Sequence, residues 1–159
     1  MEKAYGISEA QNCIAQVGKR HILFFGCFEE DGRAYEYRHE FDHKPSASEV
    51  KEMIVAMVNA DTEERIMKNH VWRGNKVWLS TENQMNFKAA YDLNAQTCGA
   101  MLPLTFKLGE DEEGQPMYHE FCTLDELSDF YSSCVMHVNA CLVEGWAIKD
   151  SVNLSEIMR

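Results

Sequence analysis

Apolar and polar positions recur along this chain in three similar blocks, each reading as two strands followed by a helix. In the first, His21 to Phe28 (HILFFGCF) is a dense apolar run of strand length, and Glu29-Glu30-Asp31-Gly32 supplies a turn. The returning strand alternates: Tyr35, Tyr37, His39 and Phe41 share one face, and Glu36, Arg38 and Glu40 share the other, the pattern of a sheet covered on one side. After Lys44-Pro45, Ser46 and Glu49 have capping-box spacing, and Val50, Met53, Ile54, Met57 and Val58 form a helical stripe. Asp61 to Asn69 either extends that helix or begins a separate turn. Upstream, Ser8 and Gln11 are expected to open a short helix carrying Ile14 and Val17 and stopping at Gly18.

The central block, Val71 to Gly99, is the tightest. Gly74-Asn75 lies between two short apolar runs and suits a two-residue hairpin loop. That loop sets Trp72 opposite Val77 and Val71 opposite Trp78, with the two indoles on opposite faces of the ribbon. Thr81 and Gln84 then have capping-box spacing, and Phe87, Ala90, Tyr91, Ala95 and Cys98 recur at helical spacing before Gly99.

In the third block Leu102, Leu104, Phe106 and Leu108 alternate, the acidic segment Glu110 to Glu113 with Gly114 turns the chain, and Met117 to Phe121 returns it. Thr123 and Glu126 cap a long helix whose inward stripe is Leu124, Leu127, Phe130 or Tyr131, Cys134, Val138, Cys141 and Leu142, ending near Gly145. His39-Glu40-Phe41 and His119-Glu120-Phe121 end the first and third hairpins alike, by internal duplication or by chance recurrence. The expected fold class is therefore α+β: three β-hairpin–helix units (21–60, 71–99 and 102–146) with antiparallel strands in one sheet and helices on its apolar face. Residues 147–159 form a tail. At 159 residues the chain reads as a single domain, able to bury roughly 68–70% of its unfolded surface.

Charge narrows the partners. Fifteen basic against 26 acidic side chains give a net charge of −11, and the basic residues are scattered, so nucleic acid is not an expected partner. No apolar run approaches the roughly 18 residues that cross a bilayer, so no membrane contact is expected either. The segment MEKAYGISEA lacks the apolar core of a signal peptide. The expected location is the cytoplasm of the producing cell, or a virion. Each of the six cysteines (13, 27, 98, 122, 134 and 141) lies among apolar residues, as a reduced, buried thiol does.

Candidate chemistry is sparse. Cys134, His137 and Cys141 recur at i, i+3 and i+7 of one helix and are zinc-ligand types, but a closed site needs a fourth ligand and none is near. The competing reading is two buried thiols beside an edge histidine. Cys134 with His137 is also the one candidate for a cysteine nucleophile. His39 and His119 read as structural, His39 and His43 are four apart but lie at a strand end before Lys44-Pro45, so helical ligand geometry is not expected, and the acidic turn lacks the alternating ligands of a calcium loop. No cofactor motif is present and no cofactor is expected. The tryptophan hairpin is the more informative feature: Trp72, Trp78, Val71 and Val77 are the candidate interaction residues, because aromatic side chains anchor interfaces.

At Val77-Trp78-Leu79-Ser80-Thr81-Glu82-Asn83, through Phe87 and Tyr91, the chain resembles an uncharacterised domain of phage and prophage proteins often associated with tail fibres. The resemblance covers mainly residues 71 to 146, and the whole pattern, including HILFFGCF and Glu144-Gly145-Trp146, is similar to small hypothetical proteins of gut-bacterial prophages. A full hairpin from Leu102 to Phe121 between two long helices departs from that family. The resemblance implies a noncatalytic protein acting through protein–protein contacts, as a tail-associated structural component or assembly factor, with a phage structural protein or a second copy as partner. An acidic host-directed inhibitor that mimics nucleic acid is the alternative.

Overall fold

The structure, a computed structural model, describes residues 1–30 and 32–159; Asp31, in the expected turn at 29–32, lies outside the described residues. The fold is α+β, and the three hairpin–helix units are all present. The strands, however, divide among three antiparallel sheets, one of four strands and two of two, where one sheet was expected. By internal contacts the chain forms two compact units, 1–60 with 146–159, and 61–145. Each unit has its own hydrophobic cluster.

The first unit is built on β3 (Arg20–Glu30) and β4 (Arg33–Phe41), flanked by β2 (Cys13–Val17) on β3 and β1 (Glu2–Tyr5) on β4. The expected helix from Ser8 to Val17 is therefore replaced by a strand, because Cys13 to Val17 pairs in register with Arg20 to Phe24. Four or five residues are too few for apolar spacing alone to separate the two periods. The alternating face of β4 behaves as expected. Tyr35, Tyr37 and Phe41 are buried with Leu23 and Phe25 against Val50, Ile54, Met57 and Val58 of α1 (Ala47–Lys68). The Ser46 hydroxyl accepts from the Glu49 amide at 3.3 Å, and Glu49 accepts from the Ser46 amide at 2.8 Å, a reciprocal cap. The polar face departs from expectation at Glu36, which is fully buried with Arg38 donating to it at 3.0 Å. Burying a lone carboxylate is costly, and the guanidinium lowers that cost.

The expected tail is ordered. The helix α3 (Leu124–Asp150) continues past Gly145, and α4 (Leu154–Ile157) returns Ile157 to the first cluster beside Ile148 and Val152. Helix α1 likewise runs on through Asp61 to Lys68.

The second unit contains the hairpins β5–β6 (His70–Trp72, Asn75–Val77) and β7–β8 (Leu104–Glu110, Pro116–Phe121), helix α2 (Thr81–Gln96) and most of α3. Its core is aromatic: Trp72, Phe87, Phe121 and Phe130 are buried with Val77, Leu79, Leu108 and Leu127. Phe130 is the center, with ring centroids at 5.1 Å from Trp72, 4.9 Å from Phe87 and 5.0 Å from Phe121. Fully burying a side chain of this size stabilises by about 1.5–3 kcal/mol, more than the polar contacts around it. Gly145 lies where an added methyl would meet Thr62 Oγ1 at 2.4 Å, so the last turn of α3 in this unit requires a residue without a side chain.

The α2 stripe differs from expectation at its end. Ala95 and Cys98 are exposed, and the helix stops at Gln96. Asn94 takes the buried place instead, donating to the Ala90 carbonyl at 2.9 Å and accepting from the Met101 amide at 3.2 Å. Nor are all the thiols buried. Cys134 and Cys141 are; Cys27, Cys98 and Cys122 are exposed and Cys13 is half-buried.

Candidate protein-binding surface

The β5–β6 turn is one residue earlier than expected. Trp72 pairs with Asn75, Val71 with Lys76 and His70 with Val77, so Arg73 and Gly74 form the loop. Both adopt left-handed backbone, φ 48° and 81°, as a primed turn requires. The shift moves the pairing by two residues and leaves the faces unchanged, with Trp72 and Val77 on one side of the ribbon and Val71 on the other; burial decides which of the four candidate interaction residues are available. Trp72 and Val77 are not, since they are core residues at 4% and 0% exposure. The Trp72 indole N–H donates to Asp129 at 3.0 Å, its ring meets His119 edge-on, and the Arg73 guanidinium lies over it. Val71 and Trp78 are the exposed pair, at 56% and 45%.

Trp78 is held by its backbone, not by its ring. Its amide donates to the Leu108 carbonyl at 2.7 Å, and its carbonyl accepts from Asn83 Nδ2 at 2.8 Å. Helix α2 begins at once. Ser80, one residue before the expected Thr81, caps it by accepting from the Asn83 amide at 3.2 Å, while Gln84 donates to the Leu79 carbonyl. The expected Thr81–Gln84 box is thus replaced by Ser80 with Asn83 and Gln84. The shift places Thr81 and Gln84 on the helix surface.

That surface forms one wall of a groove of about 380 Å³ between α2 and α3. Met85 and Phe87 of α2 face Tyr131, Val135, Val138 and Leu142 of α3, with Thr81, Gln84, Lys88 and Asn139 among the polar residues that line it. The groove is open, since Met85 and Val135 are 68% and 48% exposed. Phe87 connects the groove to the core below, and Tyr91 stacks on Tyr131 at 4.7 Å. Lys88 is already engaged in an ion pair with Asp92, four residues on. Sequence inspection missed this site because its residues come from two helices whose stripes were read only for the sides they bury.

Of the candidates on α3, Cys134 belongs to the core and lines the groove, and burial pushes its thiol up to about 12. His137 Nε2 lies 3.1 Å from the Arg65 carbonyl and 3.7 Å from Cys141 Sγ, and burial raises the Cys141 thiol too. Both thiols are therefore held protonated at neutral pH, the form that is not a nucleophile. Among the described residues, no three His, Cys, Asp or Glu side chains converge as a metal site. His70 was not anticipated: it is buried, its ring 4.9 Å from His137 and its Nε2 3.2 Å from Ser133 Oγ. Burial, then the neighboring His137, pushes its pKa down to about 4.

In the first unit a more polar cavity of about 670 Å³ lies among Asn12, Cys13, Phe25, Cys27, Ile148 and Asn153. Two of its amide side chains are used locally. Asn12 accepts from the Gly26 amide at 2.8 Å and Asn153 from the Ser155 amide at 3.2 Å. Among the described residues no helix is long and apolar enough to cross a membrane. Comparison with protein-family models, curated proteins and solved structures finds no match to this chain.

Proposed function

We propose that this protein acts without turnover, by binding another protein through its second unit. The observation that carries the reading is the exposure of apolar side chains on a rigid frame. Met85 and Val135 flank an open groove, and Trp78 and Val71 stand outside a core that Trp72 and Val77 already fill. Exposed apolar surface of this kind marks interaction sites, and aromatic anchors supply most of an interface's binding energy. The protonated state of the buried thiols supports a noncatalytic reading.

The setting follows from the resemblance of residues 71 to 146: a tail-associated component or assembly factor of a phage or prophage. Crosslinking of the full chain in a phage-producing host should recover virion proteins, and a chain carrying Val71→Lys and Trp78→Lys should recover fewer. Recovery of metabolic enzymes alone counts against it.

A second reading draws on charge. Much of the carboxylate excess lies between Asp61 and Gly145, including the turn Glu110 to Glu113, as in an acidic inhibitor that occupies a nucleic-acid-binding protein. Its binding should collapse in added salt, whereas a mainly apolar contact persists.

A further inference from the structure

The first unit carries a cavity for which the protein-binding reading has no use. It lies between the start of β2 with the middle of β3 and residues 148–157, and its volume of about 670 Å³ falls within the roughly 300–1,000 Å³ of small-molecule sites. Phe25 and Ile157, both buried, and the half-buried Ile148 and Val152 give it an apolar wall. Two carboxamides that line it are each held in one orientation. Asn12 adopts left-handed backbone, φ 42°, which asparagine tolerates better than most residues, and its Oδ1 accepts from the Gly26 amide at 2.8 Å. Asn153 Oδ1 accepts from the Ser155 amide at 3.2 Å. With both oxygens taken by backbone N–H groups, each side chain keeps its amino group for donation. Glu156 is the sole charged side chain in the lining, and among the described residues its carboxylate has no hydrogen-bond or ion-pair partner.

We propose that this cavity binds a small organic amine that also carries hydroxyl groups, as an amino sugar does. The ammonium meets Glu156, hydroxyl oxygens accept from the Asn12 and Asn153 amino groups, and the carbon skeleton lies against Phe25, Val152 and Ile157. The site belongs to the first unit and stands independently of the surface at Val71 and Trp78. Each part of the lining excludes a competing class. An anionic ligand would meet the Glu156 carboxylate and find no Lys, Arg or His in the lining. A purely apolar ligand would cover the carboxylate and both amino groups without pairing them, which costs the desolvation of each. A bare ammonium ion would leave the apolar wall and the amino groups unused. The ammonium also gains over a neutral hydroxyl at the same place, because a charge-assisted hydrogen bond is about twice as strong as a neutral one.

The test uses the full chain, with glucosamine as the probe and glucose, which has a hydroxyl where glucosamine has its ammonium, as the neutral counterpart. Amide chemical shifts report the site directly, since the Gly26 and Ser155 N–H groups are bonded to the Asn12 and Asn153 oxygens. Glucosamine should move both amides saturably, glucose should bind about tenfold more weakly, and ammonium chloride at the same ionic strength should leave both in place. Glu156→Gln, at an exposed position, should bring glucosamine down to the level of glucose. Glu52→Gln on α1 makes the same change in net charge away from the cavity and should leave the affinity for glucosamine unaltered. The proposal is overturned if glucosamine leaves the Gly26 and Ser155 amides unmoved, if glucose or ammonium chloride moves them as readily, or if the two Gln variants behave alike.

Discussion

The two units join hairpin to helix through the same few residue types and reach different ends. In both, a His-Glu-Phe segment finishes the hairpin with the imidazole edge-on to the phenyl ring, 4.7 Å for His39 with Phe41 and 4.6 Å for His119 with Phe121. In both, a histidine reaches the glutamate three residues after the helix cap. In the second unit only Cys122 and Thr123 intervene before the helix, so His119 itself meets Glu126 at 3.1 Å. In the first, five residues intervene, His39 is left behind, and His43 meets Glu49 at 2.8 Å. The freed glutamate differs as well: Glu49 closes back on Ser46, while Glu126 also pairs with Arg73 of the neighboring hairpin. Connection length, more than the motif, decides whether the junction is a self-contained cap or a tie to the rest of the unit.

The sharpest way to break this contrast is in the cores. Phe130→Ala removes the ring on which Trp72, Phe87 and Phe121 converge and should cost about 3–5 kcal/mol, read by chemical denaturation. Trp72→Ala should fall in the same range, but Trp78→Ala should stay within about 0.5 kcal/mol, because its indole is exposed. Equal losses at Trp72 and Trp78 would mean that the exposed indole is buried in solution.

Acid separates the units next. His70 stays neutral in the fold, down to about pH 4, but takes up a proton near its ordinary value of 6.5 when unfolded. Its burial therefore costs nothing above pH 6.5 and lowers stability progressively between 6.5 and 4, by up to about 3 kcal/mol. His39, also lowered, first by burial, acts in the same sense in the first unit. The Glu49 cap works in a lower window. Hydrogen bonds from the Ser46 amide and hydroxyl hold Glu49 at about 2 against an ordinary 4.5, so its contribution is present above 4.5 and lost toward 2. Stability should fall less steeply between pH 6.5 and 4 in His70→Gln, with the His39 share remaining, and Glu49→Gln should remove the fall expected between pH 4.5 and 2.

A smaller effect is expected at Gly145. A helix interior ordinarily gains about 1 kcal/mol from Gly→Ala, but here the methyl enters the space of the Thr62 side chain, whose β-branched rotamer is stiff. Gly145→Ala should instead destabilise by about 1–3 kcal/mol, and Thr62→Ala in the same chain should restore most of the loss.

What could be read from sequence was whatever a single segment determines for itself. The Tyr35, Tyr37 and Phe41 face, the Ser46–Glu49 cap and the α1 stripe all follow from spacing within one element. What escaped depends on a partner. Cys13 to Val17 is a strand because β3 offers it an edge. Glu36 is buried because Arg38 and the flanking strands enclose it. The β5–β6 loop fell one residue early because Arg73 accepts a left-handed backbone that non-glycine residues seldom adopt, and which face of the ribbon is buried depends on the helices that pack on it. The groove needed two helices side by side, so Met85 and Val135 carried no mark of it individually.

The bond from the Trp78 amide to Leu108 lies beside Gly109, where a methyl would meet the Lys76 carbonyl at 2.9 Å. The two small ribbons are thus sewn together at a seam with no slack. Any side chain at position 109 must unpick it, and the first sign would be rapid deuterium uptake at the amide of residue 78, ahead of any global melting.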